Sequence, residues 1–389
     1  MNIQKMIDDI AYPPTMKYNY ATKEPENILK ARMEVINKVA PNFFSGDNFL
    51  DIGCNKGFCS LIGNFKYIEG LDIEQRFIDV CRAVRPDGKF TLSTFRDYET
   101  DEVFDKIFIG NTMHYLFVET KGWDFIKKLA VYSNGELLIE APTGMECKDM
   151  EACIPQELRH LFNEKEFMKE ITKYFTLVNK EPSADYTPDR YVMLFKRKDD
   201  EHNTIYEVPK NCGVLKEDKN SSVLTKDGLV YKVFHNADKS LRNRIYIGAM
   251  SPISNGLKGF IKDGDLVVGW VEDRSYSSIY LYCENEKELF KLICEHNIFL
   301  NKLGYVDLDC ATINFFKEDN KMFDKGLNYH TSKINSDDIN STSTNYKIHF
   351  NNSYRRLPKN YPDRIIDTLE TRDNLKLENL FIELLEEQR

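Results

Sequence analysis

The residues best suited to chemistry in the first half of the chain are an acid and two glycines. They lie in Phe49-Leu50-Asp51-Ile52-Gly53-Cys54-Asn55-Lys56-Gly57-Phe58-Cys59-Ser60. The stretch reads as a short apolar strand, a tight turn and the start of a helix. A turn of this kind leaves backbone N–H groups facing whatever lies over it, and glycine lets a ligand touch the main chain. The next strand, Lys66 to Glu74, ends on acidic residues, where a mononucleotide-binding βαβ unit sets a carboxylate against a ribose. Together these features describe a nucleoside site.

Spacing separates the possible ligands. A dinucleotide fingerprint reads G-x-G-x-x-G and cradles a pyrophosphate. Here the order is Asp51-x-Gly53-x-x-x-Gly57, with Asn55 in place of the middle glycine, which disfavours NAD. An aspartate before the first glycine, followed by this spacing, resembles motif I of the class I S-adenosylmethionine-dependent methyltransferases. The resemblance implies that the turn holds the methionine part of the cofactor, with Asp51, Gly53, Asn55 and Gly57 in contact with it. It further implies that Asp72 binds the ribose hydroxyls.

The elements around the motif fit an α/β sheet. Glu24 to Val39 places Ile28, Leu29, Met33, Ile36 and Val39 at helical spacing, an amphipathic helix for packing on the sheet. A helix from Gln75 to Val84 closes at Arg85-Pro86-Asp87-Gly88, whose Pro and Gly mark a turn. Lys89 to Thr94 is a third strand, Phe104 to Asn111 a fourth and Glu136 to Glu140 a fifth. Tyr174 to Val178 with Tyr191 to Lys196 resembles the closing hairpin of the family. The resemblance spans about residues 25 to 197 and puts Asp97 near the adenine. Asn111 to Tyr115 leaves the carboxyl end of the fourth strand, the edge at which open α/β sheets bind ligands. There His114 is placed to act as a base toward an alcohol, with a pKa near neutral. The alternative is a satisfied structural histidine. A phosphate acceptor, already anionic, needs cations rather than a base. Residues 1 to 23, rich in Tyr and Pro, are either a lid over the ligand or an arm packed on the surface.

Length and composition bound the rest. A chain of 389 residues exceeds what one core usually supports, so two domains are expected. A formal charge of −9 argues against a general nucleic-acid binder. Nine cysteines without C-x-x-C pairs read as reduced thiols of a cytoplasmic protein. No apolar run approaches the roughly 20 residues of a membrane helix, and no charged-then-apolar leader opens the sequence.

Lys198 to Lys210 is a polar, charged run; the linker is set at 198–212. Beyond it, Ser222 to Phe234 is two alternating strands joined at Asp227-Gly228, a hairpin signal. Asp265 to Glu272 is a strand running into a polar turn. Glu288 to Leu303 is a helix stopped by Gly304. Tyr305 to Phe316, a short hairpin through Glu318-Asp319-Asn320, and Phe323-Asp324-Lys325-Gly326 follow. This order resembles a protein-kinase-like fold. The resemblance implies that Lys232 contacts ATP phosphates, that Asp309 takes the substrate hydroxyl proton, and that Asn314 and Asp324 hold magnesium. The sequence departs from the family in having no glycine-rich loop before Lys232 and Asp307 where the loop histidine stands. Thr331 to Asn352, poor in apolar residues, is expected to be a mobile loop. Arg355, Arg356 and Lys359 form a basic cluster. Leu377, Leu380, Phe381, Leu384 and Leu385 keep the helical period, so a terminal helix packs on a neighbour in the same chain or through self-association.

The sequence therefore reads as a Rossmann-like methyltransferase sheet with helices on both faces over 1–197, joined to a C-terminal α+β kinase-like domain over 213–389. The expected cofactors are S-adenosylmethionine and, for the second domain, ATP with Mg2+. The expected acceptor is a small molecule or a glycan end, phosphorylated and methylated in turn. The competing reading is a methyltransferase whose second half only binds a partner or nucleotide.

Overall fold

The computed structural model describes residues 18–19, 24–25, 28–100, 102–147, 149–184 and 190–198 of the first half. In the second half it describes 211–217, 219, 221–226, 229–235, 247, 258–262, 265–271, 286–307, 315–318, 321–324, 331–333, 364–365, 367–368, 371 and 373–387. The chain divides into two compact units, Met1–Lys198 and Asp199–Arg389.

The first unit opens with a short antiparallel pair, β1 (Tyr18–Asn19) and β2 (Glu24–Pro25). Helix α1 follows at Ile28–Val39, four residues later than the amphipathic pattern suggested. A residue before proline is pushed to extended backbone, so Glu24 and Pro25 lie in a strand and not in the helix. Then come β3 (Ser45–Ile52), α2 (Phe58–Ile62), β4 (Asn64–Asp72), α3 (Gln75–Val84) and β5 (Lys89–Leu92). The chain continues through β6 (Phe104–Gly110), α4 (Met113–Glu119), α5 (Phe125–Tyr132) and β7 (Ser133–Pro142). A four-residue α6 (Met150–Cys153), α7 (Glu164–Ile171) and the hairpin β8 (Phe175–Pro182) and β9 (Arg190–Arg197) complete it.

Seven of these strands form one sheet in the order β5-β4-β3-β6-β7-β9-β8. All neighbours pair in parallel except at β9, which runs antiparallel to both β7 and β8. From β3 the chain winds outward to β5, then returns to the other side of β3 as β6 and winds the opposite way. Strand order thus reverses between β3 and β6, where Ile52 pairs with both Leu71 and Ile109. A reversal of this kind opens a crevice at the carboxyl ends of the two strands.

The strand period of two sends alternate residues to opposite faces. Phe49, Phe108, Leu138 and Leu194 join Met33, Ile36 and Val39 of α1 and Ile78 and Cys81 of α3 in one buried cluster. Phe49 stacks on Phe65 at 4.5 Å between ring centres. Phe195, of the opposite parity, meets Phe167 of α7 edge-on at 6.1 Å, so helices cover both faces. The sheet is a Rossmann-like α/β fold.

In the second unit, five antiparallel strands form a sheet ordered β10-β11-β12-β14-β13: β10 (Gly213–Glu217), β11 (Ser221–Lys226), β12 (Leu229–Phe234), β13 (Lys258–Lys262) and β14 (Asp265–Val271). Lys226 faces Leu229 across a two-residue hairpin turn. Helix α8 (Glu286–Lys302) ends at Gly304, whose φ of 86° is left-handed. Strand β15 (Tyr305–Asp307) follows, then a hairpin of β16 (Phe315–Glu318) and β17 (Lys321–Asp324), and β18 (Thr331–Lys333). The pairing of β18 with β15 takes Thr331–Lys333 out of the stretch expected to be a loop; residues 334–352 lie outside the described residues, as do 199–210 of the expected linker. The terminal helix α9 (Asn374–Glu386) buries Leu377, Phe381 and Leu384 and packs against α8 of the same unit.

Candidate functional site

The Asp51 to Gly57 stretch lies at the strand-order reversal, at the carboxyl end of β3 between β4 and β6. Gly53, Asn55 and Gly57 have φ of 75°, 48° and 73°, the left-handed region that glycine and asparagine tolerate best. This is why Asn55 serves where a dinucleotide turn has glycine; its side chain also accepts the Lys56 N–H at 2.8 Å. The turn is pinned to β4 by the N–H groups of Gly53 and Cys54, which both donate to the Leu71 carbonyl at 2.9 and 3.0 Å. Below the turn, Cys81 of α3 donates its thiol to the Asn55 carbonyl at 3.0 Å and lies 3.7 Å from the Cys54 sulfur. A methyl group on Gly57 would stand 3.0 Å from the Cys81 sulfur.

Asp72 ends β4 beside this turn. Its carboxylate accepts the Asn55 N–H at 2.9 Å and the Glu74 N–H at 3.0 Å, which fixes its plane and leaves lone pairs for further donors. Burial raises its pKa from the usual carboxylate value, while these backbone donors pull it back. Next to it Ile73 is 68% exposed, and Leu92 at the end of β5 is 47% exposed. Two bare aliphatic side chains flanking a fixed carboxylate suit the flat base and the hydroxyls of a nucleoside.

Asp51, one residue from the end of β3, is 3% exposed. Its carboxyl is pushed up to about 8, first by burial and then by the nearby Asp72 carboxylate. Asp97 lies in the turn after β5, where it accepts the Thr94 hydroxyl at 2.9 Å.

The other wall of the crevice comes from β6. Asn111 has φ of 56°, donates its N–H to the Glu140 carbonyl at 2.6 Å and accepts from Arg190 Nη1 at 2.6 Å. Thr112 reaches across to β3, where a Cβ added to Gly53 would fall 2.2 Å from its Oγ1. His114, in the first turn of α4, is 4% exposed, and its Nδ1 is buried with no hydrogen-bond partner. Its pKa is lowered to about 4, by burial and then by the Arg190 guanidinium, against a smaller opposing effect of Asp149. The near-neutral value expected from the sequence therefore does not hold. Tyr115, its neighbour, is 58% exposed with its ring 4.1 Å from the imidazole.

Sequence reasoning missed Arg190, which joins Asn111, His114 and Asp149, the last at 3.7 Å. It also missed a buried ion pair behind the site, in which Arg32 Nε donates to both Glu140 oxygens at 2.9 and 3.0 Å. Ser183 donates to the same carboxylate at 2.5 Å. A signal existed for one of these: Arg32 is a lone charge inside the apolar stripe of α1.

The structure thus gathers Asp51, Gly53, Asn55, Gly57, Asp72, Asn111 and His114 around one crevice. In the second unit, Lys232 lies on the central strand of the five, opposite Val223 and Val268, and Asp324 ends β17 opposite Phe315. Asp309 and Asn314 lie outside the described residues. Among the described residues no cluster of His, Cys, Asp or Glu is set to hold a metal, and no helix is long and apolar enough to cross a membrane.

No protein-family model matches this sequence, and no curated protein matches it. Among solved structures, the chain is similar to the N-methyltransferase NodS from Bradyrhizobium japonicum WM9 in complex with S-adenosyl-L-homocysteine, at 16% identity over 51% of this chain and 99% of that one, TM-score 0.37. It is similar to a S-adenosylmethionine-dependent methyltransferase from Clostridium acetobutylicum ATCC 824 at 11% identity over 44% and 92% of the two chains, TM-score 0.36. The bifunctional kinase-methyltransferase WbdD is similar at 15% identity over 98% and 94%, TM-score 0.35. At these scores and identities the likenesses add nothing to the strand order, on which the fold rests.

Proposed function

We propose that the first unit is an S-adenosylmethionine-dependent methyltransferase. The observation that carries this reading is the motif I turn at the strand-order reversal, with left-handed Gly53, Asn55 and Gly57 tied to the ribose-type acid Asp72 through the 2.9 Å Asn55 N–H bond. Asp51, Gly53, Asn55 and Gly57 would hold the methionine part of the cofactor, Asp72 its ribose, and Asp97, Ile73 and Leu92 the base. The bound cofactor supplies a methyl group activated by a sulfonium charge. The chain's own task is then to hold donor and acceptor in line and keep water out.

On the acceptor side, a buried imidazole with a pKa near 4 is neutral at pH 7 and a weak base toward an alcohol. With Arg190 beside it, the pocket suits an acceptor that is already anionic, such as a phosphate or carboxylate oxygen, which needs a cation and not a base. His114 then positions the acceptor by hydrogen bonding. The second unit is read as kinase-like, with Lys232 on ATP phosphates, Asp309 as base, and Asn314 and Asp324 on magnesium. The antiparallel sheet with Lys232 on its middle strand, followed by α8 and the hairpin ending at Asp324, supports that order of parts. The two units would phosphorylate and then methylate one acceptor, such as the end of a glycan chain. A second unit that binds a partner or nucleotide without catalysis is the competing reading.

A thermal-shift screen of the full chain against S-adenosylmethionine, S-adenosylhomocysteine, NAD, and ATP with magnesium tests both halves, because a ligand of the folded state stabilises it by mass action. The two S-adenosyl nucleosides should raise the melting temperature and NAD should not. ATP with magnesium should raise it through Asp324. A shift with NAD alone would replace the methyltransferase reading.

A further inference from the structure

We infer that Lys128, a buried cation on α5, is a positioning residue for the nucleobase wall of the crevice, holding the turn after β5 so that Asp97 meets the base in one fixed place. The inference rests on the methyltransferase reading and adds a residue that touches no ligand. Lys128 is 0% exposed and stands among Phe125, Ile126, Leu129 and Tyr132, all buried residues of the same helix.

The turn begins where β5 ends. Leu92 pairs with Asp72 across the two strands, and the Ser93 N–H donates to the Asp72 carbonyl at 3.0 Å, so the turn starts beside the acid assigned to the ribose. Within it, the Tyr98 N–H donates to the Thr94 carbonyl at 2.9 Å. The Asp97 N–H donates to the Thr94 hydroxyl oxygen at 3.1 Å, and that hydroxyl donates to the Asp97 carboxylate at 2.9 Å. Thr94 and Asp97 are half-buried, whereas Phe95, Arg96 and Tyr98 are buried. The place of the Asp97 carboxylate is therefore set by the shape of the turn.

Lys128 holds that shape from within. Its Nζ donates to the Phe95 carbonyl at 2.9 Å and to the Arg96 carbonyl at 2.7 Å. Buried carbonyls need donors, and an ammonium supplies three from one atom, each strengthened by its charge. The same ammonium lies 5.4 Å from the Phe95 ring centre and 5.9 Å from that of Tyr132, faces that attract a cation. Glu119 of α4 brings the opposite charge and accepts the Arg96 N–H, so two helices grip one short stretch of backbone. The far end of the turn is tied to β4, where the buried Glu69 carboxylate accepts the Tyr98 hydroxyl at 2.5 Å and the Thr100 hydroxyl at 2.8 Å. Burying an ion is costly, and packing alone would need only an apolar side chain at position 128. What the ammonium adds is a single arrangement of the turn.

That arrangement bears on which base is accepted. A carboxylate accepts a hydrogen bond from the 6-amino group of adenine and repels the carbonyl oxygen that inosine carries there. Held in one place, Asp97 separates the two bases; on a loosened turn both the gain and the penalty shrink.

The test is calorimetric titration of the full chain, wild type and Lys128→Met, with S-adenosylhomocysteine and with S-inosylhomocysteine. Wild type should bind the adenosyl compound at least about tenfold more tightly. Lys128→Met should lose about tenfold in affinity for it, the order of one charge-assisted hydrogen bond, and little for the inosyl compound, so that the preference narrows toward parity. Leu129→Ala, a core truncation on the same helix, controls for lost stability: it should lower the melting temperature and keep the preference. A folded Lys128→Met with the wild-type preference, the same narrowing in Leu129→Ala, or a wild type that binds both compounds equally would overturn the inference while leaving the methyltransferase reading intact. Binding of neither compound would bring down that reading, and this one with it. Where Lys128→Met fails to fold, Lys128→Gln, whose amide nitrogen keeps two donors, is read in the same way, with a smaller narrowing expected and an unchanged preference contradicting the assigned role.

Discussion

The backbone N–H of Asn55 donates to the Asp72 carboxylate at 2.9 Å. This bond couples the turn after β3 to the acid at the end of β4, so the part of the crevice assigned to the methionine and the part assigned to the ribose move as one. Asp72→Ala should therefore weaken S-adenosylmethionine binding through a lost carboxylate and a loosened turn. Hydrogen bonds to charged groups are worth about 1.5–3 kcal/mol, or roughly ten- to hundredfold in affinity. Calorimetric Kd values for wild type and variant check this, and an unchanged Kd would remove Asp72 from the site.

Gly53 has no room for a side chain. Its φ of 75° is left-handed, and an added Cβ would fall 2.2 Å from Thr112 Oγ1. Gly53→Ala should cost about 1–2 kcal/mol for the backbone conformation alone, with more for the displaced Thr112, and should abolish donor binding because the turn and the β6 wall are pushed apart. Denaturant midpoints together with donor titration read out both effects.

The Arg32–Glu140 pair is buried on both sides, with Glu140 fully so. Removing one partner leaves a buried charge uncompensated, at a cost of about 3–5 kcal/mol. Arg32→Met should destabilise the first unit by that amount, and Arg32→Met with Glu140→Leu should recover much of it. A double-mutant cycle in urea gives the coupling.

The two shifted carboxyl and imidazole groups predict opposite pH effects on stability. His114, lowered to about 4 from 6.5, binds fewer protons folded than unfolded in that window, so its contribution is present above pH 6.5 and lost as pH falls through 4. Asp51, raised to about 8 from 3.8, binds more protons folded, so its contribution is present below pH 4 and lost as pH rises toward 8. Asp51→Asn should therefore gain stability relative to wild type at pH 8. At saturating donor, kcat should show no inflection near 6.5, and His114→Gln should cost less than the 10²–10⁴ expected on losing a general base.

Much of the first unit was legible because its signals are local. The glycine turn, the terminal acids and the Gln75–Val84 helix follow from residue type and spacing within a few positions. The start of α1 was misplaced because helical periodicity was extended through Pro25, where the backbone preference of Glu24 prevailed. The value for His114 was misjudged because its burial depends on tertiary packing, and Arg190 went unseen because it is 79 residues from the Asn111 it meets. In the second unit the hairpin at Lys226 and Leu229 and the Gly304 stop were readable, whereas β18 was not, since three residues of strand carry little pattern.

For the second unit, Asp324→Ala and Lys232→Ala should each abolish the magnesium-dependent ATP thermal shift of the full chain while leaving the S-adenosylmethionine shift in place. Loss of both shifts together would mark a folding defect, and retention of the ATP shift in both variants would contradict the assigned roles.

The most direct test of the central claim is the binding of S-adenosylmethionine to the intact wild-type chain by calorimetry at pH 7–8. The account predicts saturable binding at one site per chain, lost in Gly53→Ala and weakened in Asp72→Ala. Absence of binding heat at both pH values, with the protein folded, would contradict it.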